Sequence, residues 1–213
     1  MNPSRKALIE EVVKKRQINA IVILENIEDT HNIGAILRTC DSVGICEVHV
    51  YYTYDRQGKM KMGKRTTAGT RKWVDVYVHD SREECFNIVR SKVDAIFCTH
   101  LDEESKSIYN SDFTGSVAFL FGNEHAGVDP DTLTLCDGNL IVPQAGMSQS
   151  LNVGVACAVM LYEFYRQRLS KGLYDQEIGD SKKALLADYI GRSETRYQGK
   201  HPINKPKLKK KKE

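Results

Sequence analysis

The chain has 213 residues, of which 41% are hydrophobic and 28% are charged, and its net charge is +3. This size suits one substantial domain with short appendages, and the balance is typical of a soluble globular protein. The longest apolar runs are short and strand-like, which excludes a membrane-spanning helix, and the N-terminal sequence lacks the apolar core of a secretory signal. We therefore expect a cytoplasmic protein.

Strand-like and helical patterns alternate along the sequence. Several of the strand-like runs are continuously apolar, as in strands that are buried on both faces of a parallel sheet. The predicted strands are 20–25, 46–52, 74–79, 94–99, 117–121 and 139–143. The predicted helices are 3–16, 31–44, 81–91, 129–135, 153–169 and 181–191. Three of these helices begin at a typical capping residue: Ser81, Asp129 and Ser181. The alternation predicts an α/β fold with a mostly parallel sheet flanked by helices.

Two parts of the sequence are strongly basic. Residues 200–213 contain seven lysines and one glutamate, whereas the other 199 residues carry 24 basic and 27 acidic groups. This Lys-rich tail either contacts nucleic acid or only adds solubility. Residues 56–73 contain seven Lys or Arg and no acid. A flexible surface loop would explain their polarity, but uncompensated cations favour a polyanionic partner.

The six cysteines include no CxxC pair, and the six histidines are scattered through the sequence. We therefore expect free thiols in a reducing cytosol and no metal site.

Polar, glycine-containing loops follow the fifth and sixth predicted strands. They are LFGNEHAGVDP and VPQAGMSQSLN. The chain has neither a G-x-G-x-x-G nor a Walker A motif, which argues against a Rossmann dehydrogenase. Because ligands of open α/β sheets bind outside the carboxyl ends of the strands, the two loops predict a pocket made largely of backbone.

Three segments resemble the motifs of the SPOUT superfamily of RNA methyltransferases, in its SpoU/TrmH branch. They are HNIGAILRTCDSVG (31–44), LFGNEHAGV (120–128) and IVPQAGMSQSLNVGVACAVMLYE (141–163). TAGTRKWV and YRQRLSKGLYD further resemble the tRNA guanosine 2′-O-methyltransferase members. The resemblance covers roughly residues 1–175, which we take as one domain that includes the N-terminal helix. Residues 176–213 are then a C-terminal extension with a short helix and a disordered Lys-rich tail.

The resemblance implies a deep C-terminal trefoil knot, a homodimer and S-adenosyl-L-methionine as the methyl donor. The implied reaction is methylation of a ribose 2′-hydroxyl in structured RNA, first of all the tRNA D-loop guanosine at position eighteen. No metal is required. Small residues of the helix at 153–169, among them Gly154, would allow close approach at a crowded crossing.

The resemblance makes Arg38 the central catalytic residue, which either takes the proton of the ribose hydroxyl with help from a phosphate contact or positions the ribose. From the residues alone, Arg38 could equally form an ion pair with Asp41 on the same helix. Arginine is a poor base, because its pKa exceeds roughly 12, but its guanidinium can bind phosphate bidentately and position the ribose.

The resemblance also assigns the other site residues. The remaining catalytic residues are Asn32, Glu124, Ser150 and Asn152. The cofactor-binding residues are Thr99, Gly122, Val142 and Leu151. The RNA-binding residues are Lys64, Arg65, Arg71, Arg166 and Arg168. Without the resemblance, the two asparagines and Ser150 are equally good helix caps, Glu124 is a surface acid, and the last two arginines belong to a solvated helix face.

Departures from the family pattern bear on the substrate. Gly34 and Gly154 stand where the tRNA guanosine enzymes commonly have serine, and His125 stands where they often have lysine. The alternatives are methylation of another tRNA position or of ribosomal RNA, or a non-catalytic RNA-binding protein with this fold.

Overall fold

The computed structural model describes residues 2–54, 69–100, 105–148 and 150–194, without the side chain of Arg71. The helices are α1 (Pro3–Lys15), α2 (Thr30–Ser42), α3 (Arg82–Arg90), α4 (Pro130–Leu133), α5 (Val153–Ser170) and α6 (Asp180–Glu194). The strands are β1 (Ala20–Glu25), β2 (Glu47–Tyr51), β3 (Asp75–Val78), β4 (Ala95–Thr99), β5 (Lys106–Ser107), β6 (Val117–Phe121) and β7 (Gly138–Ile141).

The strands form one sheet in the order β3-β2-β1-β6-β4-β7-β5, and every pairing between them is parallel. The two central strands, β1 and β6, are buried along their whole length because helices cover both faces of the sheet. The larger core includes α2 and α5, and the smaller one lies under α3. This architecture confirms the predicted α/β fold. The two-residue strand β5 was not predicted.

The C-terminal helix α6 packs against α1. Tyr189 is buried with Ile9 and Val13, and its hydroxyl donates to the carbonyl of Trp73. The prediction that Ser181 caps this helix is wrong, because the helix already includes Asp180. Of the basic stretch 56–73, residues 56–68 lie outside the described residues, and so does the Lys-rich tail. None of the described helices is both long and apolar enough to cross a bilayer.

Candidate active site

A cavity of about 340 Å³ lies at the carboxyl ends of β4, β6 and β7. This is the edge at which a parallel sheet binds ligands. The structure brings six of the predicted site residues to its wall: Thr99, Gly122, Glu124, Val142, Ser150 and Leu151. The wall also contains His100, Asn123 and Gln144, which sequence reasoning did not single out. Asn123 directly precedes Glu124 in the second motif, so that motif is the signal that could have found it.

The loop from Gly122 to Val128 forms one side of this cavity. Its ends are joined by reciprocal backbone hydrogen bonds of 2.9 Å between Asn123 and Gly127. A Cβ atom added at Gly122 would lie 2.3 Å from the carbonyl oxygen of Gly127. Only glycine fits at this position, because the two chain segments approach too closely for any side chain.

Three of the predicted catalytic residues form a hydrogen-bonded row beside the cavity. The side-chain amide of Asn152 donates to Asn32 Oδ1 at 3.1 Å, and Asn32 Nδ2 donates to Glu124 Oε1. Asn152 also caps α5, because its Oδ1 accepts from the backbone of Gly154 at 2.9 Å. The row therefore links α2, α5 and the cavity loop, and it fixes the direction of the Glu124 carboxyl group.

The capping alternatives are settled by the helix starts. Asn32 is not a cap, because α2 is capped by Asp29, whose carboxyl group accepts from the backbone of His31 at 2.8 Å. Ser150 is not a cap either, because Asn152 holds that position on α5. Only the capping role considered for Asn152 is confirmed, and it exists together with the contact to Asn32.

Arg38 is exposed on α2 and does not line the cavity. The ion pair with Asp41 that the sequence allowed is not formed. Asp41 instead pairs with the buried guanidinium of Arg16, which also donates to the Asp41 carbonyl at 3.1 Å. Within the part of the chain that the structure describes, Arg38 has no hydrogen-bond or ion-pair partner. Its guanidinium is thus available to an external anion.

The small residues at the start of α5 allow it to pack closely on α2. A Cβ atom added at Gly154 would lie 3.2 Å from Asn152 Oδ1 and 3.5 Å from the Cβ atom of Ala35. The predicted close approach is therefore present within one chain. It brings Asn152 within reach of Asn32.

The two arginines of α5 differ in their surroundings. Arg166 is exposed and forms a paired contact with Glu163, at 2.8 Å through Nε and 2.7 Å through Nη2. Arg168 is 1% exposed. The prediction that Arg168 contacts RNA is wrong for the described protomer, because protein acceptors enclose its guanidinium. Lys64, Arg65 and the side chain of Arg71 lie outside the described residues.

The acceptors of Arg168 come from distant parts of the chain. The guanidinium donates to the carbonyls of Phe113 and Gly115 and, at 2.8 Å each, to the side chains of Gln17 and Asn19. Burial lowers the pKa of Arg168 to about 10, so the side chain remains charged at neutral pH. This residue therefore joins α5 to two loops of the fold.

A group of three buried residues combines His49, His79 and Cys85, which are scattered in the sequence. One ring nitrogen of each histidine and the cysteine sulfur lie within 4.8 Å of one another. However, His49 Nδ1 and His79 Nε2 are 2.7 Å apart, a hydrogen-bond distance, whereas two nitrogens on tetrahedral zinc are separated by roughly 3.3 Å. His49 Nε2 is also 2.7 Å from Glu47. The geometry is that of a hydrogen-bonded row between β2, β3 and α3, away from the cavity.

The chain is similar to known proteins in sequence. A tRNA (guanosine(18)-2′-O)-methyltransferase of Thermus thermophilus is 40% identical over 189 residues, which cover 88% of this chain and 96% of the relative. The protein of that name from Escherichia coli K12 is 37% identical over 83% of this chain and 76% of the relative.

Solved structures are similar as well. The crystal structure of the Aquifex aeolicus TrmH/SpoU tRNA modifying enzyme has a TM-score of 0.80 and 32% identity, and the match covers 91% of this chain and 98% of that one. AviRb of Streptomyces viridochromogenes in complex with AdoMet has a TM-score of 0.63 and 28% identity, over 70% of this chain and 60% of that one. The profile of the SpoU rRNA Methylase family matches residues 19–162, most of the chain, and the chain therefore belongs to the SpoU methylase family.

Proposed function

We propose that this chain transfers a methyl group from S-adenosyl-L-methionine to the ribose 2′-hydroxyl of guanosine 18 in tRNA. The relatives with that name are 37–40% identical over more than four fifths of this chain. The proposal rests on one observation: residues of all three motifs lie together at the carboxyl ends of the strands. The Gly122 loop and the Leu151 loop enclose a cavity, and Asn32 of the first motif contacts the acid at its rim.

The cavity fits S-adenosyl-L-methionine. Its volume of about 340 Å³ is at the lower end of the range for small-molecule sites, about 300–1,000 Å³. Thr99, Gly122, Val142 and Leu151 would hold the adenosyl part, with backbone groups of residues 121–124, 141–148 and 150–151 as hydrogen-bond partners. When bound, the cofactor supplies a methyl group on a positively charged sulfur. The close contact at Gly122 leaves the loop backbone, rather than a side chain, to face this ligand.

Arg38 is the residue that we assign to the RNA side of the reaction. It stands six residues after Asn32 on α2, about 9 Å further along the helix axis, and its exposed guanidinium has no hydrogen-bond or ion-pair partner among the described residues. The guanidinium binds a phosphate through two parallel donors and thereby positions the 2′-hydroxyl. It also stabilises the negative charge that develops on the hydroxyl oxygen as the proton passes to solvent, which reaches the exposed Arg38. The Glu124 carboxyl group, held by Asn32, orients hydrogen-bond donors on the cavity side of the active site.

The other proposals concern contacts with tRNA, the location of the enzyme and its pairing. Arg166 is an exposed cation for the tRNA backbone, and the basic residues Lys64, Arg65 and Arg71 belong to the same assignment. We place the enzyme in the cytoplasm with its tRNA, where its six free thiols stay reduced. We further propose that two copies pair through α5, within the knotted fold of the SPOUT enzymes.

The test is methylation of defined RNAs by the purified protein. An unmodified tRNA transcript is incubated with S-adenosyl-L-methionine, digested with a nuclease and analysed by mass spectrometry. A transcript with 2′-deoxyguanosine at position 18 is the matched control, since it lacks only the accepting hydroxyl. We expect one 2′-O-methylguanosine per tRNA at position 18 and none in the control. If the protein methylates 23S ribosomal RNA and leaves the tRNA transcript unmethylated, the proposal is overturned in favour of the ribosomal alternative.

A further inference from the structure

Two consecutive residues at the carboxyl end of β1 hold the two ends of the cavity loop. Glu25 contacts the backbone where the loop enters α4, and Asn26 contacts the loop just after β6. We propose that Glu25 and Asn26, together called the clamp, are positioning residues, which set the shape of the cofactor site without touching the cofactor. This inference rests on the proposed function, because it takes the cavity beside Gly122 as the cofactor site.

Glu25 is a fully buried acid whose hydrogen bonds converge on the start of α4. Its Oε1 accepts from the backbone of Asp129 at 2.7 Å, and its Oε2 accepts from the hydroxyls of Tyr51 and Thr132. Burying a carboxyl group is unfavourable unless its oxygens are satisfied, and here protein donors occupy both of them. Two of these donors belong to the segment that leaves the cavity loop, so Glu25 fixes that end of the loop to the sheet.

Asn26 fixes the other end. It has a backbone φ of 56°, a left-handed conformation that asparagine tolerates better than most residues. Its side chain exchanges two hydrogen bonds of 2.9 Å with Thr53 after β2. Its carbonyl, turned by this conformation, accepts from Asn123 Nδ2 at 2.9 Å.

Asn123 connects Asn26 to the turn that contains Glu124. Its Oδ1 accepts from the backbone of His125 at 2.9 Å and of Ala126 at 3.0 Å, so its side chain bridges the turn that contains Glu124. The loop is thus attached to the end of β1 both before and after Glu124. A loop that is already fixed in its binding conformation loses little entropy when a ligand binds, and this improves affinity. Freeing either end should therefore weaken cofactor binding even when the fold persists.

The experiment measures the affinity of the whole protein for S-adenosylhomocysteine by titration calorimetry. Glu25→Gln keeps the size of the side chain but places an amide where three donors converge. Asn26→Gly keeps the φ of 56° accessible and removes only the side-chain bonds to Thr53. The matched control is Asp137→Asn. Asp137 also accepts from a backbone amide, that of Ile96 at 2.7 Å, but it lies at the amino ends of the strands, away from the cavity.

We expect Kd to rise at least tenfold in Glu25→Gln and in Asn26→Gly, and to stay within twofold of the wild type in Asp137→Asn at a comparable loss of Tm. If either clamp variant fails to fold, Tyr51→Phe and Thr53→Val each remove one supporting hydroxyl, and a threefold rise in Kd is expected. A Kd within twofold of the wild type in every folded clamp variant would overturn the inference. Gly122→Ala distinguishes failure of the cofactor site from failure of the clamp. Unchanged binding in this variant contradicts the cavity as the cofactor site. Lost binding supports the cavity, and the variants at Glu25 and Asn26 then decide on the clamp.

Discussion

Arg166 and Arg168 show how much the surroundings of a single residue decide. Both lie on α5 in a segment that resembles a tRNA-modifying family, but only Arg166 faces solvent. We predict that Arg168→Ala destabilises the fold by about 3 kcal/mol or more, because four acceptors lose a charged donor. Thermal unfolding measures this loss.

Arg166→Ala should have the opposite profile. Its partner Glu163 is buried but keeps a hydrogen bond from Gln167, so we expect Tm to fall by less than in Arg168→Ala. Affinity for tRNA should fall and the slope of log K against log salt should decrease by about 1, since one phosphate contact is lost. A shallower salt slope in Arg168→Ala, without a loss of Tm, would contradict the division of roles between the two arginines.

Among the helices and strands, the sequence predicted those whose residues follow a clear hydrophobic pattern. β6 is apolar throughout and β1 is apolar up to its last residue, Glu25. Their observed bounds equal the predicted ones, because burial on both faces of the sheet leaves a clear pattern. β5 has only two residues and no pattern to detect. The cap of α2 was misplaced because Asp29, Thr30 and Asn32 all suit a helix start, and only the folded chain shows that Asn32 is directed to Glu124.

The candidate site was predictable to a similar extent. Loops that follow adjacent strands must meet at one edge, which brought six predicted residues to the cavity. Burial of Arg168 was not predictable, because its acceptors come from residues 17–19 and 113–115, more than fifty positions away. The clamp at Glu25 and Asn26 was missed for the same reason. The trefoil knot stays a prediction from the resemblance.

The row of His49 and His79 between β2, β3 and α3 predicts a dependence of stability on pH. Burial lowers the pKa of both histidines, to about 4 for His79, whereas an unfolded histidine has a pKa of about 6.5. The neutral form therefore favours the fold above about pH 6.5, and this contribution is lost progressively as the pH falls towards 4.

Denaturant unfolding at pH 7 and pH 5 measures this effect. The free energy of unfolding should fall by about 2 kcal/mol less in His79→Gln than in the wild type over this interval, because glutamine does not take up a proton. Superimposable pH dependences for the two proteins would show that His79 titrates normally in the folded state.

In the whole molecule, three apolar side chains on one side of α5 are exposed in the single chain, and Arg166 lies among them. Val155, Tyr162 and Leu169 recur every seven residues and are about half exposed. We predict that Tyr162→Asp converts a dimer into single protomers, as measured by light scattering. Leu8→Asp is the matched control, since Leu8 is an exposed leucine of α1 outside this face, and it should leave the mass unchanged. A wild-type protein that is fully active as a monomer would refute the proposed pairing.

We propose that the cofactor cavity and Arg38 are separate parts of one active site. Single-turnover methylation of tRNA by Arg38→Ala, measured beside a titration with S-adenosylhomocysteine, tests this proposal. Among the described residues, Arg38 does not line the cavity and has no hydrogen-bond or ion-pair partner, so Kd for the cofactor analogue should stay within twofold of the wild type. The methylation rate should fall at least a hundredfold, and Arg38→Lys should also be poor because a point charge cannot replace the two-donor guanidinium. A near-normal rate in Arg38→Ala would contradict the account.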